Sequence, residues 1–218
     1  MSVRQIRQAV LLGALCLALA AEIIDRIAVS VGNQAITSSD IDREIRVTSF
    51  LNRSTPDFSP ANRRATADRM VEQKLILREL ENSRYPVPPE SEIQPGLDEF
   101  IKKNFATPEE YKAALAQGGL TQQDLKNELL WQRRLLTFID VRFRAGVQVT
   151  DEEIQNYFTK TVEPAARAAH PGEQVTLDEY RERIEKTLTG EKVDKQMSDW
   201  LADARTRQPV VYHDEAFK

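Results

Sequence analysis

Residues 23–45, IIDRIAVSVGNQAITSSDIDREI, change their period halfway, and the reading of that change decides the fold. Up to Ile36 the apolar residues roughly alternate, with Ile27, Val29 and Val31 on one side. Gly32-Asn33, set between two short β-branched runs, supplies the positive backbone angles of a tight hairpin turn. From Thr37 the pattern turns helical. Ser38 and Ser39 offer caps, Asp40 and Asp42 suit the positive end of a helix, and Ile41 and Ile45 fall one turn apart. A hairpin alone is marginal in water and needs other elements to cover it. The far end of the chain offers a partner. Gln208 to His213 contain Val210, Val211 and Tyr212, a β-favouring run with no sheet of its own nearby in sequence. Buried backbone groups must be paired, so the expectation is a three-stranded sheet joining the opening hairpin to this closing strand. Pro209, without a backbone donor, fits the start or edge of such a strand.

Upstream of the hairpin, Arg4 and Arg7 precede an apolar run from Ala9 to Ala21 that ends in Ala18-Leu19-Ala20-Ala21. A basic start, a short apolar core and small residues at its end read as a cleavable signal peptide over residues 1–21. The run is shorter than the roughly 20 residues a bilayer span needs. A retained anchor is the alternative. Cys16 lies inside the run behind Leu15, not behind the small residue that lipid attachment favours, so a mature chain contains no cysteine for disulfide or thiol chemistry. Removing Arg4 and Arg7 takes the formal charge from −4 to −6. That acidic balance argues against a nucleic-acid surface, which needs clustered Lys and Arg. With 29% of residues charged and 7% aromatic, the composition suits amphipathic helices better than a sheet sandwich.

Helix signals fill the interior. Ser59-Pro60 opens a helix over residues 60–82, with Ala67, Met70, Val71, Ile76, Leu77 and Leu80 forming its apolar stripe. Tyr85 to Pro89 stops it, and Glu90-Ser91-Glu92-Ile93 begins another that reaches about Asn104. Thr107-Pro108-Glu109-Glu110 starts a short helix ended by Gly118-Gly119. Thr121 caps a long one to about Phe143, and Val149 to Glu153 start one through Tyr157 and Phe158. A closing helix begins at Leu177 to Tyr180, and Val193, Met197, Trp200 and Ala204 recur at helical spacing before Arg207. The fold class is mainly α, a multi-helix core with a small β-sheet from the N-terminal hairpin and the C-terminal strand.

The segments "DRIAVSVGNQAITSSDID", "RMVEQKLILREL", "FATPEEYKAALAQGGLTQQDLKNEL" and "VQVTDEEIQNYF", in this order, resemble the non-catalytic core of SurA-like periplasmic chaperones over about residues 23–160. The end "LDEYRERIEKTLTGEKVDKQMSDWLADARTRQPVVY" is similar to that family's closing segment, a helix followed by a short strand. The resemblance implies an N-terminal region (22–158) and a closing segment (177–218) packed into one core, with parvulin prolyl-isomerase domains inserted between them. Here the sequence departs from the family. Residues 159–176 hold Pro164, Ala165-Ala166, Ala168-Ala169 and Pro171-Gly172, which read as a linker or a short helix with a turn. A domain needs about 50 residues or more, so no parvulin fits there. His170 and His213 are the two histidines, too few and too far apart for a parvulin-like pocket or for zinc. Glu109-Glu110 and Glu152-Glu153 lie in first helical turns, where the helix dipole explains them without chemistry. No phosphate-cradling glycine loop or Gly-x-Ser-x-Gly turn is present.

The chain is therefore expected to be a non-enzyme without cofactor or metal. The resemblance implies an ATP-independent periplasmic holdase for unfolded exported proteins, with outer-membrane protein precursors as the natural clients. The expected partners are unfolded or extended polypeptides, with no nucleic acid, no stable membrane insertion after signal cleavage, and a monomer or weak oligomer. Trp131, Phe105, Tyr111, Phe138 and Tyr157 are the candidate client-binding residues. Any one of them packs a core more readily than it binds, but together they suit an apolar concavity with a polar rim. Two other readings stand beside this one: a scaffold or assembly factor for one specific partner, and a prolyl isomerase with an atypical site.

Overall fold

The computed structural model describes residues 25–83, 85–86, 88–172 and 174–218, so the signal-peptide segment lies outside the described residues. Strands β1 (Ile27–Val31), β2 (Gln34–Thr37) and β3 (Val210–Tyr212) form one sheet in the order β2-β1-β3. Both pairings are antiparallel. Ser30 on the central strand faces Ala35 on one side and Val211 on the other. The ladder to β3 extends beyond its ends: the Gly32 N–H donates to the Pro209 carbonyl at 2.9 Å, and the His213 N–H to the Ala28 carbonyl at 2.9 Å. Pro209 is asked only for its acceptor, which is why a residue without a donor can sit there.

The hairpin turn differs in detail from the expectation. Gly32 alone carries a positive φ, at +58°, and Asn33 does not. Such a turn is of the II′ kind, which needs the special conformation only at its first central residue. A Cβ at Gly32 would lie 2.8 Å from Gln208 Oε1, the mobile end of a side chain, so it is the positive φ that favours glycine here.

Helix α1 (Ser38–Leu51) follows β2 directly. Its cap is Thr37, not Ser38 or Ser39. The Asp40 N–H donates to Thr37 Oγ1 at 3.2 Å, and the Thr37 N–H to Asp40 Oδ2 at 3.1 Å, closing a capping box. Ser39 is turned instead towards Asp25, whose Oδ1 accepts from its N–H at 3.2 Å. Then come α2 (Pro60–Asn82), a 3₁₀ turn at Glu90–Glu92, α3 (Gln94–Asn104), α4 (Pro108–Gln117) and α5 (Gln122–Arg142). Thr107, Thr121 and Thr150 each cap as their spacing predicts.

The stretch at 159–176 is helical as far as Ala169. Helix α6 (Asp151–Tyr157) runs through a π-helical turn at Phe158–Val162 into α7 (Glu163–Ala169). Pro164 falls in the first turn after the wide one, where the missing N–H and the ring's bulk are absorbed without ending the helix. The chain returns in α8, one 31-residue helix (Leu177–Arg207) that passes straight through Gly190.

Four apolar clusters hold the described residues together. The first lies under the sheet, where Val29, Ile36, Ile41 and Ile45 meet Val71 and Leu75 of α2, Ala204 of α8 and Phe217. The closing helix thus covers the sheet, but α2 shares that task. A second joins α1, α3, α4 and the start of α5 around Leu97, Tyr111 and Leu125. A third ties α2, the end of α5 and α8 around Ile76, Phe138 and Val193. The fourth, Ile154, Phe158 and Ile184, sits between α6, the π-helical turn and the first half of α8.

Candidate functional site

The five aromatic candidates divide by burial. Phe105 and Tyr111 are 8% and 4% exposed and meet each other with ring centroids 5.3 Å apart. Phe138 is completely buried, with Tyr85, Phe143 and Trp200 around it at 5.4, 5.6 and 5.2 Å. These three rings are spent on the second and third clusters, although Phe105 also lines a hollow of about 310 Å³ with Ile101 and Lys102. Trp131 and Tyr157 are half-buried, Trp131 at the edge of the third cluster and Tyr157 at the edge of the fourth. The structure therefore does not bring the five into one concave surface. A residue on an apolar stripe is packed first by its own neighbours, and only stripe edges are left over.

What the helices enclose instead is a cleft of about 370 Å³ between α1, α2 and α5. Its apolar wall is Ile36, Val47, Met70 and Leu77, the last two at helical spacing along α2. Its other wall carries Glu44 and Glu128, with Arg43 and Lys74 also lining it. The helix registers dictate this. Ile41 and Ile45 point α1 into the core, which leaves Glu44 one turn along on the cleft flank. Leu125, buried on α5, does the same for Glu128.

The two acids share an unusual environment. Glu128 is only 8% exposed, and the Gln132 side-chain amide donates to its Oε1 at 2.7 Å. Burial, and then the Glu128 charge, push the Glu44 carboxyl up to about 7, while Arg69 acts in the opposite sense. Burial also raises Glu128, against the lowering effects of the Gln132 hydrogen bond and Arg69. Arg69 itself donates to Thr66 Oγ1 at 2.8 Å. Sequence reading passed over both acids, although a signal was present. Each is an acid lying one turn after a core isoleucine or leucine and next to another apolar residue, Ile41-x-x-Glu44-Ile45 and Leu125-x-x-Glu128-Leu129.

A further hollow of about 440 Å³ lies beside Phe50, Phe58 and Leu120, with the Arg46 guanidinium 5.9 Å from the Phe58 ring. On α5, Leu136 and Val141 are 54% and 47% exposed. His213 is exposed and hydrogen-bonded through Nε2 to Ser30 Oγ at 3.1 Å, tying β3 to β1. Among the described residues no three His, Cys, Asp or Glu side chains gather in a group that could hold a metal ion. No described helix is long and apolar enough to cross a membrane.

No family model matches the chain. Curated relatives do. Chaperone SurA of Pseudomonas fluorescens strain Pf0-1 is 27% identical over 160 residues, and that of strain Pf-5 is 23% identical over 154. Chaperone SurA of Pseudomonas syringae pv. tomato is 25% identical over 154 residues. Each alignment covers 67% of this chain but 36% of the relative, so the match takes in about a third of those proteins' length. With a mainly helical core and a sheet shared by both ends of the chain, this protein is similar to the SurA-like chaperones over two thirds of its own sequence.

Proposed function

We propose that the protein is an ATP-independent holdase that keeps unfolded exported polypeptides from aggregating in the periplasm, with outer-membrane protein precursors as its clients. The observation that carries this reading is the likeness to three proteins named Chaperone SurA across 67% of the chain. The surface supports it. Half-buried Trp131 and Tyr157, exposed Leu136 and the hollow beside Phe50 and Phe58 offer apolar contact bordered by charge, which suits extended chains of alternating apolar residues. The mature chain works as a monomer or weak oligomer on polypeptide, without cofactor. The deciding experiment is suppression of aggregation of two unrelated unfolded clients. A holdase suppresses both, whereas a scaffold dedicated to one partner suppresses neither.

Prolyl isomerisation is the competing activity. Phe158 and Leu177 are joined by a short helix and a turn, leaving no space for a domain of about 50 residues. The protein should leave the cis-to-trans rate of a proline tetrapeptide at its uncatalysed value, and acceleration that survives repurification would overturn the non-enzyme reading. Trp131→Ala should weaken client binding by about 1–3 kcal/mol. A loss of stability of about 3–5 kcal/mol instead, seen in thermal melts of the same variant, would assign Trp131 to the core alone.

A further inference from the structure

We propose that the cleft between α1, α2 and α5 seats a basic side chain of an extended polypeptide, arginine above all, with its guanidinium on Glu128 and Glu44 and the neighbouring apolar client residue on Met70 and Leu77. This inference rests on the client-holding reading and names the class of segment selected.

The argument starts from unmet hydrogen-bonding capacity. Glu128 is more than nine-tenths buried and lines the cleft, yet only its Oε1 has a donor, from Gln132. Among the described residues its Oε2 and both oxygens of Glu44 accept no hydrogen bond, and neither acid forms an ion pair. A buried carboxylate is stable when paired, and costly when not. The other acids of the cleft are already engaged: Asp40 and Asp124 close the capping boxes of α1 and α5, and Asp40 also lies 3.8 Å from Arg43. Arg69 acts on both Glu44 and Glu128 through space but spends its hydrogen bond on Thr66, so these two are the acids of the cleft with acceptor capacity to spare.

Shape and charge choose the occupant. A guanidinium is planar, gives up its hydration more readily than an ammonium, and can address two carboxylates with a fixed fork of donors. Its aliphatic stem matches the apolar wall opposite. A cleft of about 370 Å³ admits a side chain and not a folded surface, which is what a holder of extended chains requires. Selection of arginine would give the protein a preference among unfolded chains that apolar contact alone does not supply.

Proton linkage follows from the same geometry. The groups facing Glu44 are Glu128 and Asp124 from α5, Arg69 and Lys74 from α2, and Asp40 and Arg43 from its own helix. A bound guanidinium favours the ionised carboxylate, and Glu44 titrates near pH 7. Binding therefore releases a proton around neutrality, and affinity rises with pH there.

The test uses the full mature chain and two fluorescein-labelled unstructured peptides of leucine, phenylalanine and serine, one with a single arginine and one with citrulline in its place. The arginine peptide should bind about tenfold tighter, the value of one charge-assisted contact, and the advantage should shrink as pH falls from about 8 to about 6. Glu128→Gln should erase the difference while residual apolar binding persists. Glutamine matches glutamate in size and can still meet the Gln132 amide, so an unchanged melting temperature is expected of this variant and is checked beside the binding, and Glu44→Gln provides a second, independent check. Equal binding of the two peptides overturns the inference and leaves the holdase reading standing wherever aggregation of both clients is still suppressed. Equal binding together with failure to suppress aggregation overturns both. Gln variants that gain stability without any change in arginine preference would show the two acids to be a proton-sharing pair internal to the fold, and would overturn the inference.

Discussion

The sheet that joins the chain's two ends and the helical arm formed by α6, α7 and the first half of α8 are built in opposite ways. Under the sheet, Val29 and Ile36 pack on Val71, Ala204 and Phe217, residues drawn from the whole length of the chain. Polar ties of the same long range surround them: Arg64 bonds Asp214 at 3.0 Å and lies 3.7 Å from the centre of the Tyr212 ring, and Tyr212 donates to Asp68. The arm's cluster comes entirely from one local stretch, Val149 to Leu188, with Arg181 bonded to Asp151 at 2.7 Å. Its junction with the body runs along α8, where Leu188 belongs to the arm, Val193 to the third cluster, and Gly190 lies between. Lys192 ties the junction, donating to the Gln148 carbonyl at 2.7 Å and pairing with Glu153 at 2.7 Å. A cluster assembled from distant segments fails only when the whole fold fails, while a local hairpin can open by itself. The sheet is thus expected to act as the global lock, and the arm as a unit that opens by itself.

Deleting Gln208 to Lys218 is the hardest blow to this contrast. It removes β3 and buried Phe217 and uncovers the edge of β1. The expected cost is that of the large core residues lost, about 3–5 kcal/mol for Phe217 alone, enough to unfold the body. An unchanged melting temperature, with amide protection kept at Ile27 to Val31, would refute the lock.

A matched pair of truncations sharpens the contrast further. Ile36 and Ile184 are equally buried, at 0% and 1% exposure, so each change to alanine removes the same group for about 2–5 kcal/mol. Ile36→Ala should lower the main thermal transition. Ile184→Ala should leave that transition nearly in place and speed hydrogen exchange only across the arm. If both variants shift one common transition alike, the arm is not a separate unit.

The body also carries a charge cost at Glu44. The Glu44 carboxyl is raised from 4.5 to about 7 on folding, so the folded chain binds more protons than the unfolded one between those values. Stability is fully favoured below about pH 4.5 as far as this group is concerned, and its contribution falls as pH rises to about 7. Glu44→Gln should therefore stabilise the protein at alkaline pH, by about 1–3 kcal/mol after allowance for solvent screening, and change little near pH 4.5. Denaturant melts across that range decide it, and a pH-independent difference would contradict the assignment.

The smallest effect belongs to the junction. A Cβ at Gly190 meets nothing within 4 Å, so Gly190→Ala fits and should add about 0.5–1 kcal/mol of helix stability. The gain should appear as slower exchange on both sides of residue 190, with little rise in the main melting temperature.

The elements were legible in the sequence because their signals are local. Thr121 as a cap and Pro60 after Ser59 each involve neighbours within one turn, and the structure uses them as written, whereas the alternation of β1 holds only for Val29 and Val31: a register shift between Ile27 and Val29 leaves Ile27 49% exposed and buries Ala28. The sheet between distant ends was also legible, since a β-favouring run with no local partner leaves only one place for its backbone to pair. One local reading missed by a residue. Thr37 outcompeted Ser38 and Ser39 because only it is spaced to exchange hydrogen bonds with Asp40, while the short helix with a turn read between 159 and 176 is present as Glu163–Ala169.

The candidate site was far less legible. That Phe105, Tyr111 and Phe138 are buried while Trp131 and Tyr157 keep an open edge depends on which helix lies against each stripe, and no periodicity carries that. The same holds for Glu44 and Glu128, 84 positions apart in sequence, which face one cleft only because α1 and α5 both pack on α2. The sequence by itself determined the helices, most of their caps, the hairpin and the closing strand, since propensity, capping and alternation act between near neighbours. Which faces meet, which acids lose their water and which apolar edges stay open were decided only by the tertiary structure. Burial is a property of the whole packed chain, and charge and apolar surface take their meaning from it.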